Sequence, residues 1–213
     1  MRGFFLSLQS KIITMPFQID PTTRGLIFDL DGTLADTMPL HLKAWQIACE
    51  VYNIEFSSDF LRLHTGIPAW TIAEILLKEK DIEGRVPLDE FLKKKSAAFY
   101  EIQGGVKAVE PVAEIVKMYY NILPMAVGTG GHHKAVHRTL EIIGMKKYFD
   151  VVVTANDVTN HKPHPETFLK CAELLNVAPE HIQVFEDGDL GIEAALRAGM
   201  MPVDVRSWYE YVW

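Results

Sequence analysis

The ten residues GLIFDLDGTL, positions 25–34, decide the fold. Residues 25–30, GLIFDL, are a largely apolar run too short for a helix and without alternation, which is how a first strand buried on both faces reads. The run then delivers polar groups, Asp29, Asp31, Gly32 and Thr33, at its carboxyl end. In an extended chain residues two apart point the same way, so both carboxylates can turn toward one pocket, while Gly32 permits a sharp bend. Taken alone, the pair also reads as a plain strand-ending turn with Asp and Gly as turn formers.

Working outward, further short apolar runs flanked by turn residues occur at 122–128, 151–155, 182–186 and 201–205. Between the later runs, residues 132–143, 165–175 and 188–198 carry apolar side chains at the three- and four-residue steps of a helix that buries one face. This alternation predicts an α/β fold, a Rossmann-like, parallel five-stranded sheet covered on both faces. Ligands of such sheets bind beyond the carboxyl ends of the strands. Residues 37–103 carry no strand signal and hold several amphipathic helices, with Leu40, Ala44, Ile47, Ala48 and Val51 expected on one face of the first. They are expected to form a helical cap over that edge of the sheet, able to close a site off from water. The expected division is a tail over 1–23, a core made of 24–36 and 104–213, and the cap over 37–103.

Bulk properties exclude several classes. A chain of 213 residues has room for one ordinary core and a smaller appended unit. Its hydrophobic share of 48% and charged share of 23% are those of a globular protein. A net charge of −7 with scattered Lys and Arg offers no basic stripe for nucleic acid, and no apolar run is long enough to span a membrane. Cys49 and Cys171 lie among apolar residues at helical spacing, so they read as buried hydrophobes rather than a disulfide or metal pair, which fits a reducing cytoplasm. In the opening 1–14, Ser7, Gln9, Ser10 and Lys11 break the apolar run of any signal peptide. With Met15 following, that stretch is expected to be an upstream misreading of the start codon or a loose tail.

Three more strand ends carry polar groups. In AVGTGG the Thr129 hydroxyl and the amides of glycines such as Gly130 can bind an anion beside a helix start. In NHKPHPETF, Lys162 can reach the site edge and oppose phosphoryl charge. In VFEDGDLGIEAA, Glu186 and Asp187 emerge on the same edge as Asp29 and Asp31, and four converging carboxylates call for a hard divalent cation such as Mg²⁺. Taken singly, these are a turn, a solvated lysine and an acidic helix cap. Taken together, they supply what a phosphoryl-transfer site needs, in four places at one sheet edge.

FDLDGT, the threonine of VGTG, the lysine of HKPHPETF and the acidic pair of FEDGDLG resemble the four motifs of the haloacid dehalogenase superfamily, over residues 24–206. ADTMPLHLKAW, PMAVGTG and FEDGDLGIEAALRAGM resemble its β-phosphoglucomutase-like branch, near bacterial fructose-1-phosphate and 6-phosphogluconate phosphatases. The resemblance implies a Mg²⁺-dependent phosphatase acting on a small-molecule phosphate ester, a sugar phosphate, and working as a monomer. It implies Asp29 as nucleophile, Asp31 as general acid and base, and Thr129, Gly130 and Lys162 as phosphate binders. The metal would be held by Asp29, the backbone carbonyl of Asp31, and Asp187, with Glu186 direct or through water. His41, one helical turn from Trp45, matches a family histidine that handles substrate and proton; without that context the pair reads as core or surface. A phosphosugar mutase is the competing expectation, but Ala69 stands where mutases carry a cap arginine. A catalytically idle member that binds a ligand or partner is the third expectation, and the presence of all motif side chains weighs against it. His132 and His133 lack metal-site spacing and read as helix-start residues. Trp208, Tyr209, Tyr211 and Trp213 are expected to cover the sheet edge or mark a self-association surface.

Overall fold

The computed structural model describes residues 19–209; residues 1–14, Tyr211 and Trp213 lie outside them. Five parallel strands, β1 (Gly25–Phe28), β2 (Met125–Gly128), β3 (Val151–Val153), β4 (Ile182–Glu186) and β5 (Met201–Asp204), form one sheet in the order β3-β2-β1-β4-β5. The doubly wound, Rossmann-like expectation therefore holds. The chain moves outward from β1 in both directions, so β1 and its neighbours β2 and β4 place their carboxyl ends side by side at the point where strand order reverses.

Alternation within β1 sorts its side chains between two cores. Leu26 and Phe28 face a cluster built with Val127, Phe185, Val112 and Leu140, while Ile27 faces one built with Ala126, Val184, Phe168 and Cys171. Helices α5 (Glu110–Tyr119) and α6 (His133–Ile142) supply residues to the first cluster; α7 (Glu166–Leu175) and α8 (Asp189–Arg197) supply the second. Phe28 and Phe185 stack at 4.7 Å, and burying each such ring stabilises the fold by about 2–3 kcal/mol.

Residues between β1 and β2 carry α1 (Met38–Glu50), α2 (Ser58–Leu63), α3 (Ala69–Glu79) and α4 (Leu88–Ile102). This insert has an apolar core of its own around Trp45, Phe91, Leu76 and Phe56. Gln103, fully buried where the insert ends, donates its amide to the Ala135 carbonyl at 3.0 Å and the Thr139 hydroxyl at 2.7 Å, fastening that end to α6.

Several sequence expectations need correction. Val51 is 54% exposed rather than on the buried face of α1, because the helix has already ended at Glu50 and the chain turns at Asn53 with positive φ. The second strand begins at Met125 rather than 122, since Asn121 adopts a left-handed turn and Ile122 points to solvent. Strands one, three and five end one or two residues early, where the chain bends to present its polar groups. Cys49 and Cys171 are both buried and free. Trp208 and Tyr209 pack against the first cluster, and the Tyr209 hydroxyl donates to Asp36 at 2.7 Å. Among the described residues no helix is long and apolar enough to cross a membrane.

Candidate active site

The turn after β1 is built by its backbone. The amides of Thr33, Leu34 and Ala35 converge on the Leu30 carbonyl at 3.3, 3.0 and 2.9 Å, while Gly32 N–H donates to Ala35 at 2.8 Å. Gly32 has φ of +89°, and a Cβ there would lie 2.1 Å from an Asp187 carboxylate oxygen, so only glycine serves. This turn leaves Asp29 buried at the strand end. Lys162 reaches it with Nζ 2.7 Å from Asp29 Oδ1 and 3.2 Å from Glu186 Oε1. The loop that carries Lys162 is anchored by Glu166, which accepts hydrogen bonds from the Thr159 and Asn160 amides and the Asn160 side chain; these bonds pull its carboxyl down to about 2.

Glu186 ends β4 fully buried, and a Cβ on Gly191 would sit 1.5 Å from its Oε1, so the bare backbone of α8 makes room for the carboxylate. Asp187 accepts a hydrogen bond from the Thr33 hydroxyl at 3.0 Å. Carboxylate oxygens of Asp29, Glu186 and Asp187 all lie within 4.8 Å of one another. Burial, then the charge of Glu186, pushes Asp29 and Asp187 well above the usual carboxylate range despite Lys162. Burial alone would lower the Lys162 ammonium, but Asp29 and Glu186 outweigh it and raise it, so it is charged. One lysine against two buried carboxylates and a half-buried third leaves excess negative charge. An all-oxygen donor set of this kind fits a hard cation of the Mg²⁺ class and not a thiophilic metal.

Asp31 turns away from this cluster. Its Oδ1 accepts from the Thr37 hydroxyl at 2.7 Å and lies 3.2 Å from His41 Nε2. On the far side of the ring, Lys95 Nζ is 3.0 Å from His41 Nδ1. An ammonium only donates, so Nδ1 accepts and Nε2 carries the proton toward Asp31. Burial and then the Lys95 charge lower His41, which keeps the ring neutral. Burial would raise Asp31, but His41 and Thr37 outweigh it and hold its carboxyl below the usual value. Burial brings Lys95 down to about 8. The His41 ring stacks flat on Phe99 at 4.2 Å, and the Lys95 ammonium lies over the Trp45 and Phe99 rings.

Thr129, the residue after β2, is buried, its hydroxyl accepting the Gly131 N–H at 3.0 Å and so free to donate to a ligand. Gly131 in turn borders Asp31: a Cβ there would be 3.3 Å from Oδ2. A cavity of about 370 Å³ runs from Asp29, Asp31 and Thr129 into the insert, walled by His41, Trp45 and Lys95. The insert presses on the sheet edge through the Thr65–Gly66 backbone. A Cβ on Gly130 would meet the Gly66 carbonyl oxygen at 2.4 Å, and one on Gly188 would touch Thr65 at 3.4 Å. Gly130→Ala should therefore prop the insert away from the site. We expect kcat/KM to fall by roughly 10- to 100-fold with little change in thermal stability, measured by steady-state kinetics and calorimetry.

The residues singled out from sequence are thus brought to one place, with Asp29, Lys162, Glu186 and Asp187 in one cluster and Asp31 with His41 beside it. His132 and His133 stand at the start of α6 as expected, His132 packing edge-on against Trp70. Sequence reasoning named Thr33 only as a polar group after the strand and not as a partner of Asp187, and it missed Thr37, Lys95, Gly191 and the Thr65–Gly66 loop. Lys95 hides in a Lys93–Lys95 run that reads as solvated, yet it shares the buried face of α4 with Phe91, Ala98 and Phe99, a spacing that marks it.

Known proteins resemble this chain in sequence and in fold. The chain is 40% identical to the fructose-1-phosphate phosphatase YqaB of Escherichia coli over 85% of its own length and 96% of that protein's. It is 35% identical to a phosphorylated carbohydrates phosphatase of Thermotoga maritima over 83% of this chain and 82% of the other. Among solved structures, β-phosphoglucomutase from Clostridium difficile superposes with a TM-score of 0.75 at 25% identity, covering 85% and 84% of the two chains. A hydrolase from Pseudomonas syringae shares the fold with a TM-score of 0.78 at 22% identity, over 88% of this chain and 87% of the other. With its sheet order, its four polar strand ends and a match over residues 26–205, the chain belongs to the haloacid dehalogenase-like hydrolase family.

Proposed function

We propose that the protein is a Mg²⁺-dependent phosphatase that hydrolyses a small phosphorylated metabolite, a sugar phosphate, through an aspartyl-phosphate on Asp29. The observation that carries this reading is the separation of two carboxylates two residues apart: Asp29 is buried against Lys162, while Asp31 is held apart by Thr37 and a neutral His41. One is placed to attack and the other to move a proton, the division that covalent phosphoryl transfer requires.

In this mechanism Asp29 attacks phosphorus in line with the departing alkoxide. Asp31 delivers a proton to that oxygen, and in the second half-reaction takes one from the water that attacks the aspartyl-phosphate. Lys162 and the Thr129 hydroxyl hold the phosphoryl oxygens, with the amide of Gly130 beside them. His41, its tautomer set by Lys95, positions Asp31 and supports each change of its charge. The insert acts as a cap that keeps bulk water from the intermediate until the leaving group departs. Asp29, Glu186, Asp187 and the backbone carbonyl of Asp31 would hold Mg²⁺, which supplies charge neutralisation for the phosphoryl group. A cytoplasmic setting fits the two buried free cysteines.

Isomerisation of a phosphosugar is less supported. Ala69, which lines the cavity at the start of α3, offers no charge for the second phosphate that a mutase must hold. The test is phosphate release from a panel of sugar phosphates with Mg²⁺ and with EDTA. Release that requires the metal and favours hexose phosphates is the expected result. Interconversion of sugar phosphates on adding a bisphosphate, without free phosphate, would overturn the reading in favour of the mutase.

A further inference from the structure

We propose that Trp70, in the first turn of α3, is a positioning residue for Lys162: its indole wedges between His132 and His161 and so fixes the two phosphate-binding loops of the core under the insert. This inference rests on the phosphatase reading and adds to that site a residue from outside the cavity wall. The Trp70 ring meets the His132 ring at 5.3 Å with 70° between the planes, and the His161 ring at 5.2 Å with 77°. Both are edge-on arrangements, which aromatic rings prefer to a flat sandwich. The two histidines belong to different loops. His132 directly follows the Thr129–Gly131 segment after β2, and His161 directly precedes Lys162 in the loop after β3. One side chain of the insert therefore bears on both loops assigned to the phosphoryl oxygens.

Ile72, Ala73, Leu76 and Leu77 anchor α3 in the insert's own core, so the half-buried indole at its first turn moves with the insert. The same segment reaches Lys162 by a second route. A Cβ on Gly66 would lie 3.4 Å from Lys162 Cδ and 3.6 Å from Glu186 Oε1, which puts the insert's backbone against the stem of the lysine while Trp70 packs on the residue before it. On the core side, Glu166 pins the Thr159 and Asn160 amides, and His161 is the next residue, between that anchor and the ammonium. Trp70 does not line the cavity, although Ala69 and Ile72 do, so it acts at the phosphoryl end through the loops and not on the leaving group. Lys162 Nζ stands 2.7 Å from Asp29 Oδ1, and a displacement of about 1 Å at such a group costs on the order of 100-fold in rate.

The experiment follows hydrolysis of a hexose phosphate and of phenyl phosphate, with Mg²⁺, by the wild type, Trp70→Phe, Trp70→Ala, His161→Ala and the Trp70→Ala/His161→Ala pair. Inhibition by orthophosphate is measured alongside, and thermal melts check folding. Trp70→Ala should lower kcat/KM by roughly 10-fold, equally on both substrates, and should weaken orthophosphate inhibition, because the lost constraint lies at the phosphoryl end. Trp70→Phe, which keeps a ring between the histidines, should recover most of the loss. His161→Ala should lose less, and the double variant little more than Trp70→Ala alone, since the two residues act through one contact. His161→Ala carries the same comparison of substrates and inhibition if Trp70→Ala does not fold. A loss confined to the hexose phosphate would put Trp70 against the leaving group, and additive losses or unchanged kinetics would cut its link to Lys162. Each of these overturns the proposal and leaves the phosphatase reading standing. Hydrolysis of neither compound by the wild type overturns the phosphatase reading, and calorimetry with orthophosphate then decides the role of Trp70, which stands if Trp70→Ala binds more weakly and falls if it binds equally.

Discussion

Asp29→Asn is expected to lower phosphate release by about 10⁴-fold or more, the scale on which loss of a nucleophile is felt, while leaving the protein folded. The two halves of this result have one physical origin. Asp29 is buried with Glu186, beside the half-buried Asp187, against Lys162, and burial and Glu186 hold its carboxyl well above the normal range. Asparagine has the same shape without the charge. It removes one member of a repelling set, and Lys162 keeps Glu186 as its partner at 3.2 Å. Stability at pH 7 without metal should therefore hold or rise by roughly 1 kcal/mol, as it does when a strained functional group is neutralised. The measurement is a thermal or urea melt in EDTA beside a phosphate-release assay. A variant that loses both activity and fold would show Asp29 to be structural and sink its assignment as nucleophile.

Such a residue is legible in sequence because its context is local. A run of four buried apolar residues ending in Asp-Leu-Asp-Gly fixes the strand, its end and the bend in consecutive positions, and β4 with Glu186 and Asp187 is read the same way. The partners that tune the site come from elsewhere in the chain. Lys95 meets His41 across 54 residues, and no short window of sequence contains both. The Gly66 carbonyl approaches Gly130 only because the insert folds back on the sheet edge, and the room that Gly191 leaves for Glu186 is a packing fact between a strand and the helix after it. Val51 failed for a plainer reason: periodicity does not say where a helix stops, and the chain leaves α1 one residue too soon to bury it. The early ends of β1 and β3 follow the same logic, since apolar character continues through residues that have already left the ladder.

Lys162→Met is the substitution expected to cost the fold most. In the wild type Lys162, 2% exposed, is among the described residues the one cation bonded to Asp29 and Glu186, and its removal takes that counter-charge from two buried carboxylates. Breaking a buried pair from one side typically costs about 3–5 kcal/mol, so a loss of about 3 kcal/mol is expected at pH 7 in EDTA, where no metal substitutes for the lysine. Burial already raises the carboxyls of Asp29 and Asp187 above their model-peptide values, and losing Lys162 raises them further. A carboxyl whose folded pKa is raised binds more protons folded than unfolded, so its penalty grows as pH rises above about 4 and shrinks as pH falls toward it. The deficit of the variant against the wild type should therefore be smaller at pH 5 than at pH 7.5. Added Mg²⁺ should narrow it at the higher pH, because a divalent cation among Asp29, Glu186 and Asp187 neutralises the charges that the lysine no longer opposes. Paired urea melts at the two pH values, with EDTA and with Mg²⁺, measure both effects. A deficit that is the same at both pH values and indifferent to the metal would mean that the methionine perturbs packing against Phe168, whose ring lies 4.6 Å from the ammonium, and that charge balance is not what holds Lys162 in place.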